Sequence, residues 1–486
     1  MAGLNTPAEK ATNGSLLLTG PTADALMTGM RIKSLRLTNF RKFRSLDLSF
    51  RDGLCVLVGD NGAGKSTLLE AIAISLSRFF PFCPFNPRLA AKPLSVSCIT
   101  QWSKERRGKI IPVQADCCSV SCTIVSDGDS AEYTLTAALR KDTSGVFVPA
   151  LSSEETRSNA APAMALNVGA ESGRPIPAIA LYGPHRGAQQ GDRKRFTRKK
   201  IDCTNPFSAY FRALEPSLDF TSFLEWFSEE EAAEFRMQRR DKGYVSAELQ
   251  AVREAVERVF AGSVRYRNPR FEANPKRFVL SEIGEDGVET ERAFDQLSDG
   301  YRSMIALVVD FARRLALAHA AVDMRQGVSP LDGPGILLVD EIDVHLHPGW
   351  QYHVLADLRR CFPNVQMIIT THSAELITGV DARDVYILQD TENGPEIHTP
   401  KYQTAGWGTP QVNAGVMSVS NTPALPINRV DEELRAHVQA GDTESPRFTE
   451  LYTEYVQHFG KEHPLVRLMD SRIQIAMRRK EHCSGK

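Results

Sequence analysis

Two short segments, far apart in this 486-residue chain, carry residue types that together could do phosphate chemistry. The first is Gly59-Asp60-Asn61-Gly62-Ala63-Gly64-Lys65-Ser66-Thr67, which fills every fixed position of a GxxxxGK[ST] loop. Its glycines let successive amides turn inward around an anion, where a Cβ would obstruct them. Lys65 supplies a point charge for the outer phosphates, and Ser66 a hydroxyl for a divalent cation. The second segment, Ile336-Leu337-Leu338-Val339-Asp340-Glu341, is an apolar run ending in two carboxylates. Asp340 suits Mg2+ held through its water shell, and Glu341 suits the orientation or deprotonation of an attacking water. The expected ligands are ATP and Mg2+.

Three further segments occur in a fixed order around these two. Leu297-Ser298-Asp299-Gly300 opens a helical stretch, Asp343-Val344-His345-Leu346-His347-Pro348 follows the acid pair, and Thr370-Thr371-His372-Ser373 ends a later strand. Ser-Asp-Gly before a helix is by itself only a good N-cap. In this order, however, the segments resemble the signature, D-loop and switch motifs of ABC/SMC-type ATPase heads, with Asp299 in place of the first signature glycine. The resemblance covers roughly 31–390 and is strongest to compact RecF/OLD-like members of the AAA group. It implies that Ser298, Asp299 and Gly300 contact the γ-phosphate held by an opposite subunit, and that His372 contacts the same phosphate and helps position water. It also implies a role near the nucleotide for Arg41, in Thr38-Asn39-Phe40-Arg41-Lys42-Phe43. Tyr182-Gly183-Pro184-His185-Arg186 stands in the approximate place of a Q-loop, with Arg186 expected near the phosphates. The D-loop reading accounts for His345 and His347 without a metal.

On this reading the catalytic residues are Lys65, Glu341 and His372, and the metal ligands are Ser66 and Asp340. The nucleotide contacts are Arg41, Asn61, Gly62, Ala63, Gly64, Lys65, Ser66, Thr67, Ser298, Asp299 and Gly300.

The elements that must position these residues are legible as patterns. Alternation in IKSLRLTNF and RSLDLSF and the apolar run LCVLVGD predict three strands before the loop, and STLLEAIAISLSRFF a helix after it. Strand-like runs between 81 and 149 predict an antiparallel layer, and LSSEETRSNAAPAMALNVGAESGRP reads as a mobile loop. Helical spacing returns around 223–260, GILLVDEID and QMIITTHS read as buried strands, and amphipathic helices fill the C-terminal part. The fold class is α/β: a P-loop ABC-type ATPase head with an antiparallel β layer, a helical insert and a short helical C-terminal region. Expected boundaries are a flexible extension over 1–30, a head over 31–400 with its insert at about 81–290, and a helical region over 415–486. No sustained heptads are present, so long coiled-coil arms are not expected.

Composition narrows the function classes. Lys+Arg 58 against Asp+Glu 59 leaves a net charge of -1, which excludes a wholly basic nucleic-acid-coating protein. No run reaches the roughly 18 apolar residues that span a bilayer. The nine cysteines show no zinc-ribbon or CxxC spacing, in keeping with free thiols in a reducing cytoplasm. Basic stretches at 104–109, 186–200 and 265–270, the last with Tyr266 interleaved, are candidates for DNA phosphates. Fewer than a hundred residues follow Pro400, with no Glu…DxD arrangement, so no nuclease domain is expected. The tail resembles that of predicted ATP-binding proteins which include the ATPase of Septu-type anti-phage systems. The implied function is an oligomeric, cytoplasmic ATPase with composite nucleotide sites between subunits, acting as sensor for a separately encoded effector. Alternatives are a RecF-like DNA repair or recombination ATPase and a non-hydrolysing ATP-gated scaffold.

Overall fold

The computed structural model describes residues 29–85, 89–106, 109–126, 131–186, 204–217, 220–260, 265–274, 276–284, 286–319, 329–391, 394–401, 403–406, 408–409, 412, 416, 426–443, 445–461 and 463–484. Most of the expected N-terminal extension and the basic run 187–200 lie outside these residues. The chain divides into two compact units, 1–409 and 410–486.

In the first unit the chain opens with β1 (Met30–Phe40), β2 (Phe43–Ser49) and β3 (Leu54–Gly59), then α1 (Lys65–Leu76). A hairpin, β4 (Gln101–Arg106) and β5 (Lys109–Gln114), is followed by β6 (Cys117–Ser126), β7 (Glu132–Lys141), β8 (Phe147–Pro149) and α2 (Ser153–Glu171). Next come β9 (Ala178–Tyr182), α3 (Phe220–Gln238), α4 (Ala247–Val259), β10 (Arg265–Ala273), β11 (Lys276–Ile283), β12 (Glu289–Ala293) and α5 (Asp299–Ala318). The unit closes with β13 (Gly335–Val339), α6 (Pro348–Gln351), α7 (Val354–Cys361), β14 (Val365–Thr370), α8 (Ala374–Ile377), β15 (Val385–Thr391) and β16 (Gly394–His398).

The central sheet runs in the order β16-β15-β3-β14-β13-β9 and is parallel except for its β16 edge. Every residue of β3, β9, β13 and β14 is buried, as expected of parallel strands covered on both faces. β14 therefore lies between the strand that feeds the glycine loop and the strand that ends in Asp340-Glu341. A second, antiparallel sheet runs β2-β1-β6-β7-β8, so part of the expected insert completes a layer begun by the first two strands. Cys118 and Cys122 belong to the buried alternation of β6, and burial pushes each thiol up to about 12.

Gln366 of β14 joins the two sheets. Its side chain accepts from Ile32 N at 2.7 Å and donates to Ile32 O at 3.0 Å and Arg51 O at 3.1 Å. The β1–β6 register shifts between Ile32 and Ser34, and the amide serves backbone groups at that irregularity. Gln366→Met keeps the bulk and strands those groups in the interior. An expected loss of about 2–3 kcal/mol follows, read as a lower urea midpoint with an unchanged slope.

The segment expected to be a mobile loop is instead the 19-residue helix α2. Ser152 Oγ accepts from Glu155 N at 3.1 Å, and the Glu155 carboxylate accepts from Ser152 N at 2.7 Å, forming a capping box. β8 pairs only with the last three residues of β7 and leaves the rest of that edge open. α2 fills it: Asn159 accepts from Thr136 N at 2.7 Å and donates to Thr136 O at 2.8 Å, and Ser158 donates to Thr134 O at 2.7 Å. A segment poor in large apolar residues is thus held by hydrogen bonds to a strand edge.

The second unit contains helices over Pro426–Gln439, Pro446–Phe459 and Pro464–Ser484. They pack Leu434, Leu451, Tyr455, Val466 and Met469 into a small core of their own. Among the described residues no helix is long and apolar enough to cross a membrane.

Candidate functional site

The strand β3 delivers the chain into a loop that only small residues can make. Gly59, Gly62 and Gly64 take φ of 147°, 78° and 111°. A Cβ on Gly64 would lie 2.8 Å from the Phe43 ring, and one on Gly59 would strike the Leu388 carbonyl of β15. Gly64 caps α1, whose first turn carries no acidic residue, so its free amides present the positive end of the helix dipole. The Lys65 ammonium donates to Gly59 O at 2.7 Å and Asp60 O at 2.9 Å. Burial lowers its pKa, against the opposing pull of Asp340, Glu341, Asp60 and Asp343.

The carboxyl ends of the neighbouring strands meet this loop. Ser66 Oγ donates to Asp340 Oδ1 at 3.0 Å, and Thr370 Oγ1 donates to the same oxygen at 2.6 Å. The Thr370 hydroxyl in turn accepts from Glu341 N at 2.8 Å, so one side chain of β14 orders both acids. Ser66 and Asp340 form a hydroxyl–carboxylate pair of the kind that can hold a hard divalent cation. Glu341 has φ 48°, a left-handed backbone that a glutamate adopts only when its surroundings impose it. One residue beyond Thr371, His372 N donates to Asp343 Oδ1 at 3.3 Å, and Thr371 Oγ1 donates to the same atom at 2.7 Å. Burial, and then Lys65, lower the His372 pKa, which favours the neutral imidazole.

Residues of the N-terminal turn also reach the loop. Lys42, which the motif reading passed over in favour of its neighbour Arg41, donates to Gly62 O at 2.6 Å and pairs with Asp390 at 2.5 Å. Arg41 has φ 51° and pairs with Glu70 of α1 at 2.5 Å, beside the helix rather than the loop. The signal for Lys42 was present, one position along in the same six-residue word.

Ser298 stands at the N-cap position of α5 without a side-chain cap bond, and Asp299 in the first turn is paired to Arg302. Ser298 and Asp299 are exposed, whereas Gly300 is buried because it passes against the D-loop: a Cβ there would run into the His345 carbonyl. His347 Nδ1 accepts from Gly349 N at 3.1 Å and so caps α6. Tyr301 stacks on Trp350 at 5.1 Å, and Tyr266 packs edge-on to Tyr301 at 5.5 Å and to Phe260 at 5.3 Å. Tyr266 is therefore a core residue, 3% exposed, and not a stacking platform for a base. Arg270 beside it is paired with Glu272 and Glu291.

Arg186 also departs from expectation. It is 0% exposed, and its guanidinium donates to the carbonyls of Gly183 (3.1 Å), Asp340 (3.0 Å), Glu341 (3.2 Å) and Ile342 (2.9 Å). Three of these bonds go to backbone just past the end of β13 and one to the turn after β9, so it is not a free phosphate ligand. Burial brings its pKa down to about 10, opposed by Asp343, Asp340 and Glu341. The same β9–β13 layer contains a buried ion cluster: Asp310 of α5 accepts from Tyr182 Oη at 2.8 Å, Arg313 at 2.6 Å and Arg314 at 2.8 Å.

Two protein families match this chain, one described as "AAA domain, putative AbiEii toxin, Type IV TA system" over residues 191–378 and one as "AAA domain" over 34–99. The chain is 26% identical over 426 residues to the "Retron Ec83 probable ATPase" of Escherichia coli, covering 76% of this chain and 73% of that protein. It is 23% identical over 441 residues to the "Retron Vc95 probable ATPase" of Vibrio cholerae, covering 82% and 80%. Over a shorter stretch of 107 residues it is 35% identical to "Septu protein PtuA" of Bacillus mycoides, covering 22% and 14%. With a glycine loop, an acid-tipped neighbouring strand and a switch segment brought to one end of a parallel sheet, the chain is similar to the AAA-domain ATPases that these matches describe.

Proposed function

We propose that this protein binds and hydrolyses ATP in composite sites shared between copies of the chain, as the sensor ATPase of an anti-phage system that governs a separate effector. The observation that carries the hydrolytic part is the hydrogen-bonded line from Ser66 through Asp340 to Thr370 and the Glu341 amide. It fastens the start of α1 to the acid pair through the ends of the adjacent strands β13 and β14.

The residues fit the ligands this reading needs. The left-handed glycines and the uncovered N-terminus of α1 suit a polyphosphate. The Ser66 hydroxyl and the Asp340 carboxylate would hold Mg2+, which when bound neutralises charge on the outer phosphates. Lys65 would bind the same phosphates, Glu341 would orient and take a proton from water, and a neutral His372 would hold its place on Asp343. Asn61, Ala63 and Thr67 would complete the cradle through backbone amides and the start of α1.

The composite site is supported by the exposed Ser298–Asp299 tip of α5, where the Ser298 side chain makes no cap hydrogen bond to its own helix. Gly300 and His345 would tie that tip to the D-loop, so that one subunit's signature answers to its own acid strand. The anti-phage role is supported by the spread of similarity over about three quarters of the chain to the retron ATPases. DNA contact through the basic segments remains part of the proposal, carried by charge alone.

The test is to purify the chain with the product of its neighbouring gene, then measure ATP turnover and assembly size with and without DNA. Lys65→Ala is expected to weaken ATP binding by at least about 10²-fold, through loss of a charge-assisted contact and of the loop's internal hydrogen bonds. It is also expected to keep the chain from assembling in ATP, as seen by sedimentation. ATP affinity equal to the parent's in that variant would sink the nucleotide site.

A further inference from the structure

We propose that Arg186 is a positioning residue that sets the backbone of the water-orienting carboxylate, acting as an internal cation around which the end of β13 is wrapped. The inference rests on the reading of Glu341 as that carboxylate. Three successive carbonyls, of Asp340, Glu341 and Ile342, turn toward one guanidinium, and a fourth comes from Gly183 three residues before it. Carbonyl oxygens that converge in this way repel one another unless a cation stands between them. A buried arginine provides that charge in a planar fork, and only its Nε lacks a partner among the described residues.

The consequence for Glu341 is specific. Its φ of 48° is a left-handed conformation that a residue with a Cβ adopts only under constraint. Its amide is held from the other side by Thr370 Oγ1 at 2.8 Å, while the next amide, Ile342 N, donates to Thr370 O at 3.1 Å. The left-handed residue is thus gripped by β14 through its N–H and by Arg186 through its C=O. Either grip alone leaves the peptide free to rotate toward the ordinary right-handed or extended region, carrying the carboxylate with it. Arg186 comes from the turn after β9, the strand that pairs with β13 from the side opposite β14. The acid is therefore clamped between the two strands that flank its own.

The experiment compares the parent with Arg186→Met and Arg186→Lys. Arg186→Met is expected to lower kcat about 10²-fold, the size of effect that a misplacement of about 1 Å produces, with ATP affinity kept within about twofold. Arg186→Lys keeps the charge but offers at most three hydrogens to four carbonyls, and an intermediate loss of about tenfold in kcat is expected. Should the methionine variant fail to fold, as its thermal melt would show, the lysine variant decides alone. A fall in ATP affinity with kcat unchanged would make Arg186 a phosphate ligand and overturn the proposal, as would an unchanged kcat in the lysine variant. Amide exchange over 340–346, measured without nucleotide, is expected to quicken at least about tenfold in the folded variants. This readout is independent of turnover: a parent that does not hydrolyse ATP defeats the ATPase reading, while unchanged exchange in the variants defeats the clamp.

Discussion

Glu341→Gln is expected to cut ATP turnover by about 10³-fold, within the range a positioned general base contributes, while ATP binding stays intact. Glutamine is nearly isosteric, and the hydrogen bonds that fix this position, Glu341 N to Thr370 and Arg186 to Glu341 O, involve the backbone and survive the change. What disappears is the negative charge that orients water and accepts its proton. The variant should therefore accumulate with ATP bound, and sedimentation in ATP should show a larger and longer-lived assembly than the parent forms. Hydrolysis at the parent rate would remove Glu341 from the mechanism. Hydrolysis lost together with ATP binding would instead indicate damage to the loop.

The largest expected stability effect lies outside the nucleotide site, at Asp310. Its side chain is buried with Arg313 and Arg314 of α5 and with Tyr182 of β9. Arg314 also donates to the carbonyls of Ala209 and Phe211, and Arg313 lies over the Trp226 ring at 5.5 Å. Asp310→Ala leaves two buried guanidinium groups without their counter-charge, and a loss of about 3–5 kcal/mol is expected from denaturant titration. The pH dependence has a definite sign. Burial would raise the Asp310 pKa, but Arg314 and Arg313 with the Tyr182 hydroxyl hold it down at about 2, against an ordinary 3.8. A depressed folded-state value gives stability that is full above the unfolded pKa and fades as pH falls through the folded one. The shift corresponds to about 2 kcal/mol, so the gap between parent and variant should narrow from about pH 5 to pH 2. A gap that stays constant over that range would show that the charge is not what the cluster contributes.

The parts of the site that were legible in the sequence are those encoded as contiguous words. Gly59–Ser66, Asp340-Glu341 and Thr371-His372 each follow an apolar strand, and a parallel sheet brings strand ends of this kind together. Contacts that depend on which strands become neighbours were not legible. Thr370 orders both acids only because β14 lies between β3 and β13, and no local spacing states that order. Arg186, expected near the phosphates, instead meets main-chain carbonyls, and Lys42 meets the Gly62 carbonyl and the distant Asp390, partners that leave no mark on nearby residue types. α2 was missed because its alanines, asparagines and Pro162 lack an apolar stripe, although Ser152 and Glu155 gave the capping signature. Tyr266 misled in the opposite sense: an aromatic among arginines reads as a nucleic-acid surface, and only the packing of Phe260 and Tyr301 around it reveals a core position.

The strand order also bears on how the chain is made. β3 pairs with β14 and β15 and with no strand near it in sequence: Leu54 meets Met367, and Val56 meets Val385. During synthesis the ribosome releases an entirely apolar strand and its glycine loop some three hundred residues before either partner exists. Closure of so long a loop is slow, and the waiting segment resembles those that chaperones shield. The antiparallel layer β2-β1-β6-β7-β8, complete by residue 149, offers an early platform on which this segment can wait. A nascent chain halted before residue 365 would hold the phosphate loop without the strand that sets it. The ability to grip nucleotide would then arise only once β14 has been made, as a late checkpoint on the head.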